Sequence, residues 1–289
     1  MKKMIWKTKI TEMLGCTYPI IQGAFAGFGK SDIAAPVSEA GGFGIITAHA
    51  FRDARKLRED IQKAKSMTEK PFGVNFTIIP PRLTEDFYDE MVEVAIDEGI
   101  GTVFTSAYKA KKIGDRIHAA GLKWVHKVVT MKHALAAERH GVDAVIIVGL
   151  EGTGYKNPLQ NTTMINMVMA DRMLRVPFVA AGGIGDARGF LSALAMGAQA
   201  LYIGTGFMAT KECPIPDKIK QKFVEQSSFD PDLYPKIYHH QLKDSGVGSM
   251  TVGVINKIVT VEEFIDEIIK NAENIIKQWG FTGDIFSTY

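Results

Sequence analysis

Short, mostly apolar runs recur along the chain, with helical patterns between them. The runs cover residues 18–22, 43–47, 72–78, 102–106, 123–129, 143–148, 176–180 and 200–203. Each is bounded by turn residues, as expected for short strands buried in a parallel sheet. Helical spacing of apolar positions fills 31–40, 53–66, 84–98, 109–120, 131–140, 162–175 and 186–197. Several of these stretches end on a glycine (Gly41, Gly99, Gly121, Gly141, Gly197), the residue suited to the left-handed cap of a helix. Strict alternation of eight strands with helices, over about the 250 residues such folds need, predicts an α/β (β/α)8 TIM barrel. A doubly wound open sheet meets the same strand count and stays as the alternative.

The pattern changes after residue 206. Residues 211–245 are rich in Lys, Asp, Pro and Gln and carry no clear strand. Thr260 and Glu263 form a capping box ahead of an apolar helical face made by Phe264, Ile265, Ile268, Ile269, Ala272, Ile275 and Ile276. The predicted division is therefore a barrel core at 1–206, and at 207–289 a C-terminal extension packed on it rather than an independent domain.

The most informative stretch is 176–207, VPFVAAGGIGDARGFLSALAMGAQALYIGTGF. It reads as strand, glycine turn, helix, strand and second glycine turn. The turns Gly182-Gly183 and Gly204-Thr205 reach the same end of the sheet. In a barrel these are the loops after strands 7 and 8, the usual phosphate site. Glycines there admit a close ligand approach, and amides at a helix start favour an anion.

The other strand ends carry Gln22 to Ala26, Asn75 to Thr77, Ser106, Lys127 and Glu151 to Tyr155. That inventory lacks the His/Asp/Glu cluster of a metal hydrolase and the GxSxG elbow of a serine hydrolase. So few reactive groups point to chemistry carried by a cofactor. Ala24 to Ser31, AFAGFGKS, nearly matches a P-loop, with Ala at the first glycine position. The helix after it is short and holds Pro36, and no strand ends in a convincing magnesium-binding Asp.

Strand alternation places Lys127 inside the barrel mouth and turns His126 the other way, into the helix layer. Lys127 has three readings: a lysine snorkelling to solvent, a Schiff-base nucleophile, or a fixed positive charge beside a flavin. His118, His133 and His140 fall on helices away from the mouth, and His239-His240 reads as surface. Met164, Met167, Met169 and Met173 read as core filler.

Composition narrows the class only modestly. With 289 residues, 46% hydrophobic and 23% charged positions and a formal net charge of +2, the chain suits a globular protein without nucleic-acid or acidic-membrane partners. Two cysteines, Cys16 and Cys213, are too few for a disulfide framework and predict a cytoplasmic location. The basic N-terminus lacks an apolar signal-peptide core, and no run approaches the ~18 apolar residues of a membrane span.

Taken together, YPIIQGAFAG, AGGFGIITAHA, KPFGVNFTIIP, the long block from His126 to Pro214 and GSMTVGVINKIV resemble the nitronate monooxygenase family, formerly the 2-nitropropane dioxygenases. That family includes FMN-dependent NAD(P)H:quinone reductases and is similar to FMN-dependent enoyl-acyl-carrier-protein reductases. The resemblance implies a barrel holding FMN without a covalent link. Ala24, Phe25 and Ala26 would run along the flavin ring, and Asn75 and Thr77 would contact it. Lys127 would lie near its pyrimidine edge, and Thr153, in the loop after strand 6, would be a further cofactor-binding residue. Ala181, Gly182, Gly183, Gly204 and Thr205 would hold the ribityl phosphate. The implied reaction is oxidation of alkyl nitronates by molecular oxygen through the flavin. The alternatives are NAD(P)H-dependent reduction of a quinone or enoyl thioester, and a flavin-binding protein without catalysis. The resemblance also admits a homodimer, which no particular residue specifies.

Two positions depart from the family pattern. Tyr155 follows Glu151-Gly152-Thr153-Gly154 where the family usually has histidine, and Gly206 replaces the usual arginine. Tyrosine, with an unperturbed pKa of about 10, donates a hydrogen bond but is a poor base at neutral pH. Tyr155 is thus the candidate catalytic residue, as hydrogen-bond or proton donor.

Overall fold

The computed structural model describes residues 6–25, 27–154, 157–238 and 248–281. The N-terminal segment forms α1 (Lys9–Leu14), capped by Thr8 and stopped by Gly15 at φ 72°. Then come β1 (Ile20–Gln22), α2 (Ser31–Glu39), β2 (Gly44–Thr47), α3 (Ala54–Met67), β3 (Phe72–Ile78), α4 (Asp89–Asp97) and β4 (Thr102–Ala107). The second half continues with α5 (Lys111–Ala119), β5 (Lys123–Val128), α6 (Met131–Arg139), β6 (Ala144–Val148), α7 (Thr163–Met173), β7 (Phe178–Ala181), α8 (Ala187–Ala195) and β8 (Ala200–Ile203). After the strands lie α9 (Thr205–Met208), α10 (Asp217–Glu225), α11 (Leu233–Tyr238) and α12 (Val261–Gln278).

The eight strands are parallel and pair in the order β1-β8-β7-β6-β5-β4-β3-β2. A bridge between Ile21 and Phe43 brings β1 back to the start of β2 and closes the (β/α)8 barrel. This seam is short. Gln22 N–H donates to the Phe43 carbonyl at 2.9 Å and Phe43 N–H to the Ile20 carbonyl at 2.9 Å. The Gln22 side chain extends it: Nε2 donates to the Ile45 carbonyl at 3.0 Å, and Ile45 N–H donates to Oε1 at 3.2 Å. A fully buried amide here does the work of one more ladder step.

Two apolar layers result. Inside the barrel lie alternate strand residues, among them Ile21, Ile45, Phe104, Val125, Ile146, Val179 and Tyr202. Ile10 and Leu14 of α1 join this cluster. Thr8 Oγ1 donates to the Gln199 carbonyl just before β8, so α1 plugs the end of the barrel where strands begin. The larger layer lies between strands and helices. α12 packs on α8 and α2 with Ile265, Ile268, Ile269, Ala272 and Ile276 buried. It fills the place of the barrel's eighth helix, and the Thr260–Glu263 capping box starts it as expected. No described helix is long and apolar enough to cross a membrane.

Strand limits fall within two residues of those expected. One helix starts later, because Asp86–Tyr88 forms a 3-10 turn ahead of α4. The methionines of α7 divide: Met167 is buried, whereas Met164 and Met173 are exposed, which corrects their reading as core. Apolar residues surround that helix on all sides, so spacing did not mark the inward face.

Candidate active site

The mouth of the barrel opens into a cavity of about 710 Å³, within the roughly 300–1,000 Å³ of small-molecule sites. Ala24, Phe25, Thr77, Lys127, Thr153, Ala181, Gly182, Gly204 and Thr205 border it. Asn75 and Gly183 do not. Asn75 is buried one step below, where Nδ2 donates to Thr77 Oγ1 at 2.9 Å. Ala26 and Tyr155 lie outside the described residues, as do Lys156 and the His239-His240 pair.

Each wall is fastened from behind. Tyr202 stands inside the barrel on β8 and its hydroxyl accepts the Ala24 backbone N–H, which fixes the loop after β1. Thr77 Oγ1 accepts from Asn75 and, at 3.1 Å, from Ser106 Oγ, leaving its own hydrogen for a ligand. The loops after β6 and β7 are tied at the start of α7. There the Glu151 carboxylate accepts the Thr163 amide and hydroxyl, each at 2.9 Å. The same hydroxyl lies 2.9 Å from the Gly182 carbonyl. Glu151 is therefore committed to the scaffold.

The two glycine turns meet here. Gly182 has φ 98°, and a Cβ on it would stand 2.9 Å from the Gly152 nitrogen. Gly204 differs: a Cβ there would meet no protein atom within 4 Å, so the space it leaves belongs to the cavity. The segment after residue 247 closes this end. Ser249 N–H donates to Thr205 Oγ1 at 3.0 Å, and Ser249 Oγ lies 2.9 Å from Thr205 Oγ1 and 2.7 Å from Thr251 Oγ1. Thr205 Oγ1 donates to Ser249 Oγ and Ser249 Oγ to Thr251 Oγ1, so the Thr251 hydroxyl hydrogen is the one left for an anion beside the two glycine turns.

Charge is one-sided. No described carboxylate borders the cavity, whereas Lys127, Lys109, His49, His133 and His140 do. Lys127 Nζ sits over the Tyr202 ring, 5.4 Å from its centre. Burial pushes this ammonium down to about 8, so it stays mostly charged at neutral pH. That suits a fixed cation better than an amine nucleophile. Burial, and then the Arg52 charge, hold His49 below the usual histidine range, and its Nδ1 is buried without a partner.

The P-loop reading fails on its own residues. Ser31, at the start of α2, gives its amide and hydroxyl to the Asp60 carboxylate at 2.9 and 2.7 Å. A carboxylate already holds the anion position at that helix end. Lys30 lies over the Phe51 ring, 5.6 Å from its centre.

Sequence reasoning missed His49, Tyr202, Ser249 and Thr251. All four lie within the segments that carry the family resemblance, His49 in AGGFGIITAHA, Tyr202 in the block from His126 to Pro214, and Ser249 and Thr251 in GSMTVGVINKIV. His126 turns away from Lys127 as expected. His133 lies on α6 and His140 caps its end, but with His126 they border a side arm of the same cavity.

A closed barrel whose mouth gathers a lysine, clustered hydroxyls and two glycine turns defines a class, and comparison with known proteins narrows it. The chain belongs to the nitronate monooxygenase family, whose model it matches over residues 7–233. It is 30% identical over 231 residues to a 5-hydroxy-7a-methyl-1-oxo-octahydro-1H-indene-4-carboxyl-CoA dehydrogenase of Rhodococcus jostii, covering 80% of this chain but 63% of that protein. It thus spans less than two thirds of that relative's length. It is 28% identical to a probable nitronate monooxygenase of Staphylococcus haemolyticus, covering 78% of this chain and 74% of that one. In three dimensions it is similar to FabK from Thermotoga maritima, with a TM-score of 0.82, 29% identity, and 95% and 98% of the two chains covered.

Proposed function

We propose that this protein is an FMN-dependent oxidoreductase that oxidises alkyl nitronates with molecular oxygen. The observation that carries the reading is the cavity wall: a half-buried lysine, three clustered hydroxyls, two glycine turns and no described carboxylate. Gly182, Gly183, Gly204, Thr205, Ser249 and Thr251 would hold the phosphate. Ala24, Phe25 and Ala26 would lie along the ring, with Asn75 supporting Thr77 and Thr153 bordering the cofactor. Bound FMN supplies the two-electron oxidation and its reversal by oxygen.

The chain's own groups do the rest. Lys127 sets a positive charge in a low-dielectric mouth, which favours an anionic ligand and electron gain beside it. Thr77 donates its remaining hydrogen. Tyr155 would donate a hydrogen bond to the substrate, which needs no base because a nitronate is already an anion. Residues 207–289 would form one domain with the barrel, since Ser249 closes its mouth and α12 its helix ring.

A second reading, NAD(P)H-dependent reduction of a quinone or enoyl thioester, is favoured by Tyr155 as a proton donor and by the relative named as a carboxyl-CoA dehydrogenase. Anaerobic mixing of the FMN-loaded protein separates them. Loss of flavin colour with an alkyl nitronate and none with NADH or NADPH supports the first; the reverse supports the second. Colour that persists with every donor leaves a flavin-binding protein without catalysis.

A further inference from the structure

The cavity does not end at the barrel mouth. It passes Val128 and Val129 and runs down the outer face of β5. α5 packs on α4 and α6 on α7, but α5 and α6 pack less against each other, and the arm lies at this looser place. Its floor is Trp124, His126 and Val128, alternate residues of β5, and Ala136 and Ala137 of α6 form a wall. Lys109 and His140 flank it.

One polar group rises from this apolar floor. Trp124 Nε1 donates to Thr105 Oγ1 at 2.7 Å, and that hydroxyl lies 2.7 Å from His126 Nδ1. An indole N–H only donates, so the Thr105 oxygen accepts it and the hydroxyl hydrogen is assigned to Nδ1. The proton of the neutral imidazole then sits on Nε2. Burial, followed by the charges of His133 and His140, pushes His126 down to about 4, so it is neutral at pH 7. Nε2 has no protein partner among the described residues, and the residue is only 6% exposed.

We propose that this side arm binds the far end of an elongated substrate, a carboxylate joined by an apolar chain to the group that reacts in the mouth. The carboxylate accepts the Nε2 hydrogen of His126 beside Lys109 and His140. The chain crosses Val128 and the two alanines toward Lys127. Placement of the reacting end rests on the redox reading above; binding of the chain does not.

Tryptophan fluorescence of the full chain in the presence of FMN tests this, with dodecanoate, dodecanol and butanoate as probes and bound-flavin absorbance recorded in parallel. Dodecanoate is expected to change the emission saturably, through a signal that Trp124→Phe abolishes, while butanoate at equal concentration does not. Ala136→Phe, which fills the arm, is expected to weaken dodecanoate roughly tenfold and to keep FMN. Lys109→Glu, on an exposed side chain, is expected to weaken dodecanoate but not dodecanol. Equal dodecanoate affinity in Ala136→Phe, or no Trp124-dependent signal, overturns the proposal. Dodecanoate binding without any bound FMN sinks the redox reading and leaves the arm standing; FMN binding without dodecanoate does the opposite.

Discussion

Lys127 Nζ lies 5.4 Å from the centre of the Tyr202 ring, so a cation of β5 and an aromatic face of β8 meet inside the barrel mouth. Tyr202 in turn holds the Ala24 amide. One side chain therefore positions both the cation and the loop expected along the flavin.

Lys127→Met is expected to weaken FMN binding about tenfold, the scale of one partly buried charge contact. Its pH dependence has a defined sign. Burial holds the folded-state value near 8, below the unfolded value of about 10.4. Between these values the unfolded chain binds more protons, so this residue makes the ligand-free fold more stable as pH rises. Affinity for an anionic ligand runs the other way, because the ligand needs the proton. FMN titrations from pH 7 to 10 should show affinity falling in the unsubstituted chain and a flatter profile in Lys127→Met.

Gly204→Ala separates fold from ligand. The added methyl meets no protein atom within 4 Å, so unfolding free energy should change by no more than about 0.5 kcal/mol. FMN affinity should fall at least about tenfold, because the methyl enters space assigned to the phosphate. Gly182→Ala should lose both, since φ is 98° and the Cβ would press on Gly152; the stability cost is on the order of 2 kcal/mol. Thermal melts and FMN titration of the two variants, compared side by side, check this. Undiminished FMN binding by Gly204→Ala would place the phosphate elsewhere.

Gln22→Ala removes the amide that bridges the β1–β2 seam. It leaves the Ile45 N–H and carbonyl without that partner and should cost about 3 kcal/mol. The urea midpoint reads this directly, and a midpoint matching the unsubstituted chain would mean the backbone bridge closes the barrel unaided.

His126 ties stability to acid. Its folded-state value near 4 lies below the unfolded value of about 6.5, so the unfolded chain takes up the extra proton in that window. Stability should therefore fall as pH drops from 6.5 to 4, by on the order of 3 kcal/mol from this group. His126→Asn, which keeps an acceptor for Thr105, should lack that component in denaturation curves at pH 4.5 and 7.

The barrel was legible because every strand announces itself by an apolar run and several of the helices before them end on a glycine, and Lys127 because strand alternation fixes its direction. The β1–β2 seam was not legible: Gln22 looks like a polar strand end, and only closure turns its amide toward Ile45. Ser249 and Thr251 reach the mouth from more than forty residues beyond Thr205, a juxtaposition that local spacing does not encode. His49 stood just past the run 43–47 and was not read as a site residue, and the methionines of α7 read as core filler although Met164 and Met173 are exposed. The P-loop match misled for the converse reason: its spacing is right, but Asp60, on another helix, already holds the helix start.

The most direct measurement is titration of the full chain with FMN, followed by flavin absorbance and fluorescence, then anaerobic addition of an alkyl nitronate. The expected result is saturable binding of a single FMN per chain, weakened at least about tenfold in Gly204→Ala, with flavin colour that fades on nitronate and returns with air. A chain that leaves FMN free in solution contradicts the assignment of the barrel mouth.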